Sequence, residues 1–311
     1  MSERKPILSI IITVFMSEEN LKESFPRIIG LRDQIPDFEL EFIFVVDGSP
    51  DDSLGLLRRY KEDHPFIKII SFTRNFGAVN GFLAGLAKSK GDCVTVLPSD
   101  LQDPPELLVE MVEQWRHGFK AVYAIRKKRE DAPLTKWLAS VYYFLLRAIA
   151  IQNYPKTGFD VFLIDRQVAD ELLNSQEKNS HIQNAVFMLG FEYAEIYYDR
   201  QERAHGKSSW TMAKKFKHFV DSFISYSYVP IRFMTLLGML ASMASFSYGL
   251  FIFIASFFIE LEQPGWASLM VVMVFMLGTV MTMLGILGEY LWRILDEVRA
   301  RSPYVIDEFY D

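Results

Sequence analysis

The sequence has 311 residues, half of them hydrophobic, and a net charge of −6, with a mean hydropathy of +0.11. A chain this apolar is not an ordinary soluble protein of its size, and its acidic balance argues against a nucleic-acid binder, which needs a basic surface. A lone cysteine, Cys93, excludes an intrachain disulfide.

In chain order, the first residues (MSERKPILSIIITVF) hold too short an apolar core for a signal peptide, and no small-residue cleavage site precedes Glu18 and Glu19. Leu8–Thr13 and Glu39–Val46 are β-branched, apolar runs separated by a helical pattern through Leu21, Phe25, Ile28 and Ile29. Ile67–Phe72 and Cys93–Leu97 repeat the strand signal, with helices expected over Asp52–Asp63 and Ala78–Ser89. Such β-α alternation with nearly continuous apolar strands predicts an α/β fold, its sheet mostly parallel and covered on both faces. A fifth strand, Ala121–Ile125, runs into the charged segment RKKREDAP, which reads as a mobile loop, and Thr157–Ile164 and Glu195–Asp199 add further strands.

Two segments are amphipathic. Leu134, Trp137, Leu138, Val141, Tyr142, Leu145 and Ile149 recur at helical spacing, and Trp210–Tyr228 mixes lysines with Phe216, Phe219, Phe223 and Ile224. Either could lie on a membrane surface or pack on the sheet. Two uncharged apolar runs follow, Phe233–Ile259 and Trp266–Gly288. Each exceeds the roughly 20 residues that span a bilayer. Lys207, Lys214, Lys215, Lys217 and Arg232 precede the first run, and Arg293, Arg299 and Arg301 follow the second. The positive-inside rule then puts both ends in the cytoplasm, with the short acidic link Glu260–Gly265 outside. The expected organisation is a cytoplasmic domain at 1–209, a juxtamembrane helix at 210–230, a transmembrane hairpin at 231–292 and a cytoplasmic tail at 293–311.

The stretch Val94–Glu106, VTVLPSDLQDPPE, ends a buried strand in an acidic turn. In an open α/β sheet, ligands bind beyond the carboxyl ends of the strands. Acids crowded there repel one another and are kept for a cation or substrate, which singles out Asp100 and Gln102. Asp103 and Glu106 equally fit complementing the dipole of the following helix. Asp47-Gly48-Ser49-Pro50-Asp51-Asp52-Ser53 places an acid in a tight turn, suited to a ribose or base contact or to capping. Arg74-Asn75-Phe76-Gly77 ends the third strand. Asp160 is an acid embedded in an apolar strand pattern, costly to bury without a partner or a role. Arg200, Arg203 and His205-Gly206-Lys207-Ser208-Ser209 gather anion-binding groups beside the membrane, suited to a lipid phosphate.

In combination these strings resemble the family-2 glycosyltransferases that act on polyprenyl phosphate. DLQDPPE, the DGS turn, RNFG, the acid before LIDR, the R-x-x-R-x-x-G-x-S pattern and the closing LGILGEYLWRI carry the resemblance across nearly the whole chain. It implies a GT-A fold with a two-helix anchor in a bacterial inner membrane, a nucleotide-sugar donor such as a UDP-sugar, Mg2+ or Mn2+, inverting transfer to polyprenyl phosphate, and often a homotetramer. Five positions differ from the family pattern, most of them on the donor side. Thr13-Val14-Phe15-Met16-Ser17 stands for P-V-Y-N-E, Val46 for the first acid of Asp-Asp-Gly-Ser, and Pro98 for the first acid of Asp-x-Asp. Phe162 stands for an arginine, and Ser209 for a basic residue.

On this resemblance Asp100 and Gln102 are expected to hold the metal. Asp47, Ser49, Arg74 and Asp100 would contact the donor, and Arg126, Arg200, Arg203 and Ser208 the acceptor phosphate. Arg203 would do so as part of the catalytic machinery, and Asp160 would orient the acceptor or act as a weak base. A non-catalytic scaffold with the same fold is the alternative; a processive synthase is disfavoured, because two spans are too few for a conduit.

Overall fold

The computed structural model describes residues 4–127, 133–175, 181–201, 222–223, 226–227, 229–255, 265–299 and 301–311. Two units emerge, one containing the sheet and its helices together with Ser302–Asp311, the other spanning Val220–Arg301.

The first unit follows the alternation written in the sequence. Its elements are β1 (Ile7–Val14), α1 (Glu18–Ile29), α2 (Leu31–Gln34), β2 (Glu39–Val46), α3 (Ser53–Asp63), β3 (Ile67–Phe72), α4 (Ala78–Lys88), β4 (Cys93–Pro98), α5 (Leu107–Arg116), β5 (Ala121–Arg126), α6 (Pro133–Leu145), β6 (Val161–Asp165), α7 (Arg166–Asn174), α8 (Ile182–Met188) and β7 (Tyr193–Tyr198). A last strand, β8 (Ile306–Tyr310), completes an eight-stranded sheet of order β7-β5-β6-β4-β1-β2-β3-β8. β1 pairs in parallel with β2 and β4, β2 with β3, and β5 with β7, whereas β6 lies antiparallel between β4 and β5 and β8 antiparallel to β3. Six strands therefore run one way and two run back.

The central strands are buried along nearly their whole length. Leu8, Ile10, Ile12, Phe42 and Phe44 are fully inaccessible and form one core with Leu21, Phe25, Ile28, Leu57, Leu108 and Met111 from the covering helices. Helix α4 approaches closely because of its glycines: a Cβ on Gly85 would fall 2.5 Å from Ile11 Cγ2. Helix α6 continues into a π-helical turn, Leu146–Ala150. It packs inward at Leu146, while Leu138 and Phe144 remain exposed, so one face of this expected amphipathic helix belongs to the domain.

Residues 293–311, expected as a tail, do more than trail: the helix before them runs on to Val298 and Ile306–Tyr310 pairs with β3. No local signal announces that strand, because its partner lies more than two hundred residues earlier in the chain.

In the second unit, α9 (Val229–Ala255) and α10 (Trp266–Val298) contain two stretches, Ile231–Phe251 and Val272–Val298, long and apolar enough to cross a membrane. Phe246, Phe251, Phe275 and Met281 are exposed on them. Large apolar side chains displayed in such number suit a lipid surroundings, not water. The expected outer link, apart from Gly265, and most of the expected juxtamembrane segment 210–230 lie outside the described residues.

Candidate active site

The strand directions collect the chemistry at one edge. β1 to β5 and β7 end there, at Val14, Val46, Phe72, Pro98, Arg126 and Tyr198, and β6, running the other way, starts there just after Asp160. Residues from distant parts of the sequence therefore meet at the carboxyl edge of the sheet, where such folds bind ligands.

On the β2 side, Asp47 is almost fully buried. Its two carboxylate oxygens accept the backbone amides of Phe76, at 2.6 Å, and Gly77, at 2.8 Å. Asp47 thus clamps the loop after β3. Gly48, at φ +56°, lies so close that a Cβ would sit 2.2 Å from the carbonyl carbon of Arg74; only glycine lets these turns meet. The Arg74 guanidinium lies 4.0 Å over the Phe76 ring. Ser49 Oγ donates to Asp51 Oδ1 at 2.6 Å and accepts the Met16 amide at 2.7 Å. Asp51 also accepts from Ser53 Oγ and the Glu18 amide, tying the β1 loop to the β2 loop. Burial alone would raise the Asp51 carboxyl, but these donors together outweigh it and hold the group below its ordinary value.

In the acidic turn, Leu101 adopts φ +55°, a left-handed conformation unfavourable for a leucine and common at functional turns. Asp100 Oδ1 accepts the Gln102 amide at 3.3 Å. Gln102 Oε1 accepts Arg200 Nη2 at 2.8 Å, and the Gln102 carbonyl accepts the Gln201 amide at 2.9 Å. Asp103 is buried, accepts the Tyr198 hydroxyl, and lies 3.6 Å from Arg200 Nε. Burial first, and the negative charge of Asp160 second, push its carboxyl above the usual range. Burial and then Asp103 push the Tyr198 hydroxyl far up as well, so it stays a donor.

Asp160 forms an ion pair with Arg126, Oδ2 to Nε 2.5 Å. The expected acceptor-side residues Arg126 and Arg200 thus come together with Asp160, Asp103 and Gln102. Arg203 and Ser208 lie outside the described residues. The sequence reading did not reach the roles of Asp103 and Tyr198. Asp103 suggested a helix-dipole residue, yet α5 begins only at Leu107 and it is Glu106, paired with Arg27 at 2.9 Å, that precedes it. Tyr198 carries no signal beyond strand alternation.

Of the positions that differ from the family pattern, Val46 and Phe162 are packed as apolar residues and Ser17 as a buried polar one, while Ser209 lies outside the described residues. Phe162 sits edge-on to Phe82 with ring centroids 5.3 Å apart, and Ser17 accepts the Ser99 hydroxyl at 2.9 Å. For a divalent cation the turn offers the Asp100 carboxylate and the Gln102 amide oxygen, hard donors of the right kind. Among the described residues no group of three or more His, Cys, Asp or Glu could hold a metal, so a cation here would take its remaining ligands from substrate phosphates and water.

Comparison with known proteins agrees with this reading. The family described as glycosyl transferase family 2 matches residues 9–173. The chain is 34% identical over 303 residues to the uncharacterized glycosyltransferase YkcC of Bacillus subtilis (strain 168), covering 97% of this chain and 94% of the relative. It is 33% identical over 305 residues to the uncharacterized glycosyltransferase sll0501 of Synechocystis sp., covering 97% and 95%. It is also 30% identical over 300 residues to the SfII prophage-derived bactoprenol glucosyl transferase of Shigella flexneri, covering 96% and 97%. The mostly parallel sheet, the acidic turn at its carboxyl edge and likeness along almost the full length lead to one assignment: the chain is a glycosyltransferase and belongs to family 2.

Proposed function

We propose that the protein transfers a sugar from a nucleotide-diphosphate sugar, with UDP as the expected nucleotide, to polyprenyl phosphate at the cytoplasmic face of a membrane, with inversion. The observation that carries the reading is the meeting of Gln102 and Asp103 with Arg200, and of Asp160 with Arg126, at the carboxyl edge of the sheet. Two arginines beside a turn rich in acids and amides suit a reaction between two phosphorylated substrates. The name of the Shigella relative and the two apolar C-terminal helices support a lipid acceptor.

In this reading an oxygen of the acceptor phosphate attacks the anomeric carbon as the bond from that carbon to the departing diphosphate breaks. A phosphate monoester has its second pKa near 6, so the nucleophile arrives largely ionised and needs little help from a base. Arg126 and Arg200, with Arg203 and Ser208, hold the acceptor phosphate. Asp160 fixes Arg126 and orients the acceptor; Asp47, Ser49 and Arg74 shape the donor side. Asp100 and Gln102 would hold Mg2+ or Mn2+, which neutralises charge on the leaving diphosphate when bound.

Incubating membranes that contain the protein with radiolabelled nucleotide sugars and polyprenyl phosphate tests the proposal. The expected product is a labelled glycolipid from which mild acid releases the labelled sugar. Failure of every donor in the panel to label the lipid would overturn it.

A further inference from the structure

β8 does not stop at pairing with β3. Its register runs Ile69 with Tyr310, Ile70 with Phe309, Ser71 with Glu308 and then Phe72 with Ile306, so Asp307 is an extra residue in a β-bulge beside the end of β3. Bulges at strand ends re-aim the chain, often next to active sites. Here the segment before the bulge continues along the donor loop: Val305 O accepts the Thr73 amide at 3.2 Å, and the Tyr304 ring stacks on Phe72 at 5.2 Å with 13° between planes.

From Phe72 the contacts lead directly into the donor side. Phe72 meets Phe76 edge-on at 5.6 Å. Phe76 carries the Arg74 guanidinium on its face and gives its amide to Asp47. Tyr304 presses on the ring that Phe76 leans against. The strand is anchored independently of this stack, by Arg58 paired with Glu308, by Lys68 on Asp311 at 2.8 Å, and by Lys88 over the Phe309 ring at 5.4 Å. Anchors placed along β8 leave Tyr304 free to act as a fixed stop for the loop.

We infer that Tyr304 is a positioning residue for the nucleotide end of the donor. The segment Ser302–Asp311, which the chain reaches only after its two apolar helices, completes the donor side by holding Phe72, and through it the Arg74–Gly77 loop, in the binding arrangement. The inference rests on the reading of Asp47 and Arg74 as donor-side residues, and it adds to that reading a requirement for a part of the chain outside the region matched to the family.

The test uses the full-length protein in detergent. Binding of UDP and of GDP, each with Mg2+, is measured by titration calorimetry for wild type, Tyr304→Ala, Tyr304→Leu, Tyr304→Phe and Arg74→Ala, alongside donor and acceptor KM and kcat. Loss of one aromatic stack should weaken nucleotide binding and raise donor KM about three- to tenfold in Tyr304→Ala, leaving acceptor KM and kcat in place. Tyr304→Phe should restore both, because the ring and not the hydroxyl makes the contact. Tyr304→Leu keeps apolar bulk, secures the result should the alanine variant fail to fold, and should bind like Tyr304→Ala. Wild-type binding by Tyr304→Leu, with Arg74→Ala impaired, would overturn the inference alone. Wild-type binding by Arg74→Ala would overturn the donor-side reading and the inference with it. A fall in kcat at unchanged donor KM, not rescued by phenylalanine, would reduce Tyr304 to a general stability residue and also overturn it.

Discussion

Arg126 at the end of β5 and Asp160 at the threshold of β6 form an ion pair, 2.5 Å from Nε to Oδ2, although 34 positions separate them in the sequence. The antiparallel insertion of β6 next to β5 creates this pairing. It joins a cation expected to hold phosphate to an acid expected to orient the acceptor. Each therefore fixes the other.

Asp160→Asn should keep measurable transfer, losing much less than the roughly 10²–10⁴-fold typical of general-base catalysis, since the proposed phosphate acceptor would arrive already ionised. Arg126→Ala, Arg200→Ala and Arg203→Ala should instead raise the apparent KM for polyprenyl phosphate. Steady-state kinetics of the four variants decide the matter. Complete loss in Asp160→Asn at unchanged donor binding, beside mild arginine variants, would make Asp160 the indispensable group.

Asp100→Asn should lower transfer by about 100-fold, equivalent to roughly 2.7 kcal/mol of lost charge stabilisation, with an unchanged melting temperature. Chelator should abolish the activity of the wild-type enzyme, and added Mg2+ or Mn2+ should restore it. An Asp100→Asn enzyme as active as wild type would remove this residue from the metal site.

Gly48→Ala should destabilise the protein by about 1–3 kcal/mol, because alanine at φ +56° is strained and its Cβ would collide with the backbone of Arg74. The two turns would have to separate, so nucleotide binding should fall too. Melting temperature and nucleotide titration on the same preparation measure both effects. A variant as stable as wild type would mean that the turns are not packed as described.

Two carboxylates should leave opposite marks on the pH dependence of stability. Asp51 is held below its ordinary value, so its contribution is present above the unfolded pKa of about 3.9 and is lost as pH falls through the folded value. The stability gap between wild type and Asp51→Asn should therefore be full near pH 6 and close at acid pH. Asp103 is raised, so its contribution is present below about pH 3.9 and is lost as pH rises through the folded value. Asp103→Asn should accordingly gain on wild type as pH rises above about 4. Thermal melts from acid to neutral pH would expose a wrong sign for either residue.

A reporter fused after Asp311 and one inserted at Gln263 should fall on opposite sides of the membrane, as expected for a hairpin with basic flanks. Detection of both on the same side would exclude that topology.

Local pattern determined much of this protein. β2 and β3 fall on their expected residues, because an apolar β-branched run buried on both faces is legible without knowledge of its neighbours. Asp47, Asp100 and Asp160 could be singled out locally too, Asp47 as an acid in the tight turn after one apolar run, Asp100 as one of several acids crowded in the turn after another, and Asp160 as an acid within an apolar strand pattern. The length and lack of charge of the C-terminal runs likewise depend on composition alone. Tertiary structure decided what depends on strand order. The placing of β6 against β5 set Asp160 on Arg126, and the end of β7 brought Tyr198 and Arg200 to Asp103 and Gln102. The return of Ile306–Tyr310 to β3 set Tyr304 on Phe72. Each of these contacts closes a long loop in the chain, and residue spacing carries no record of which distant strands will share a hydrogen-bonded edge.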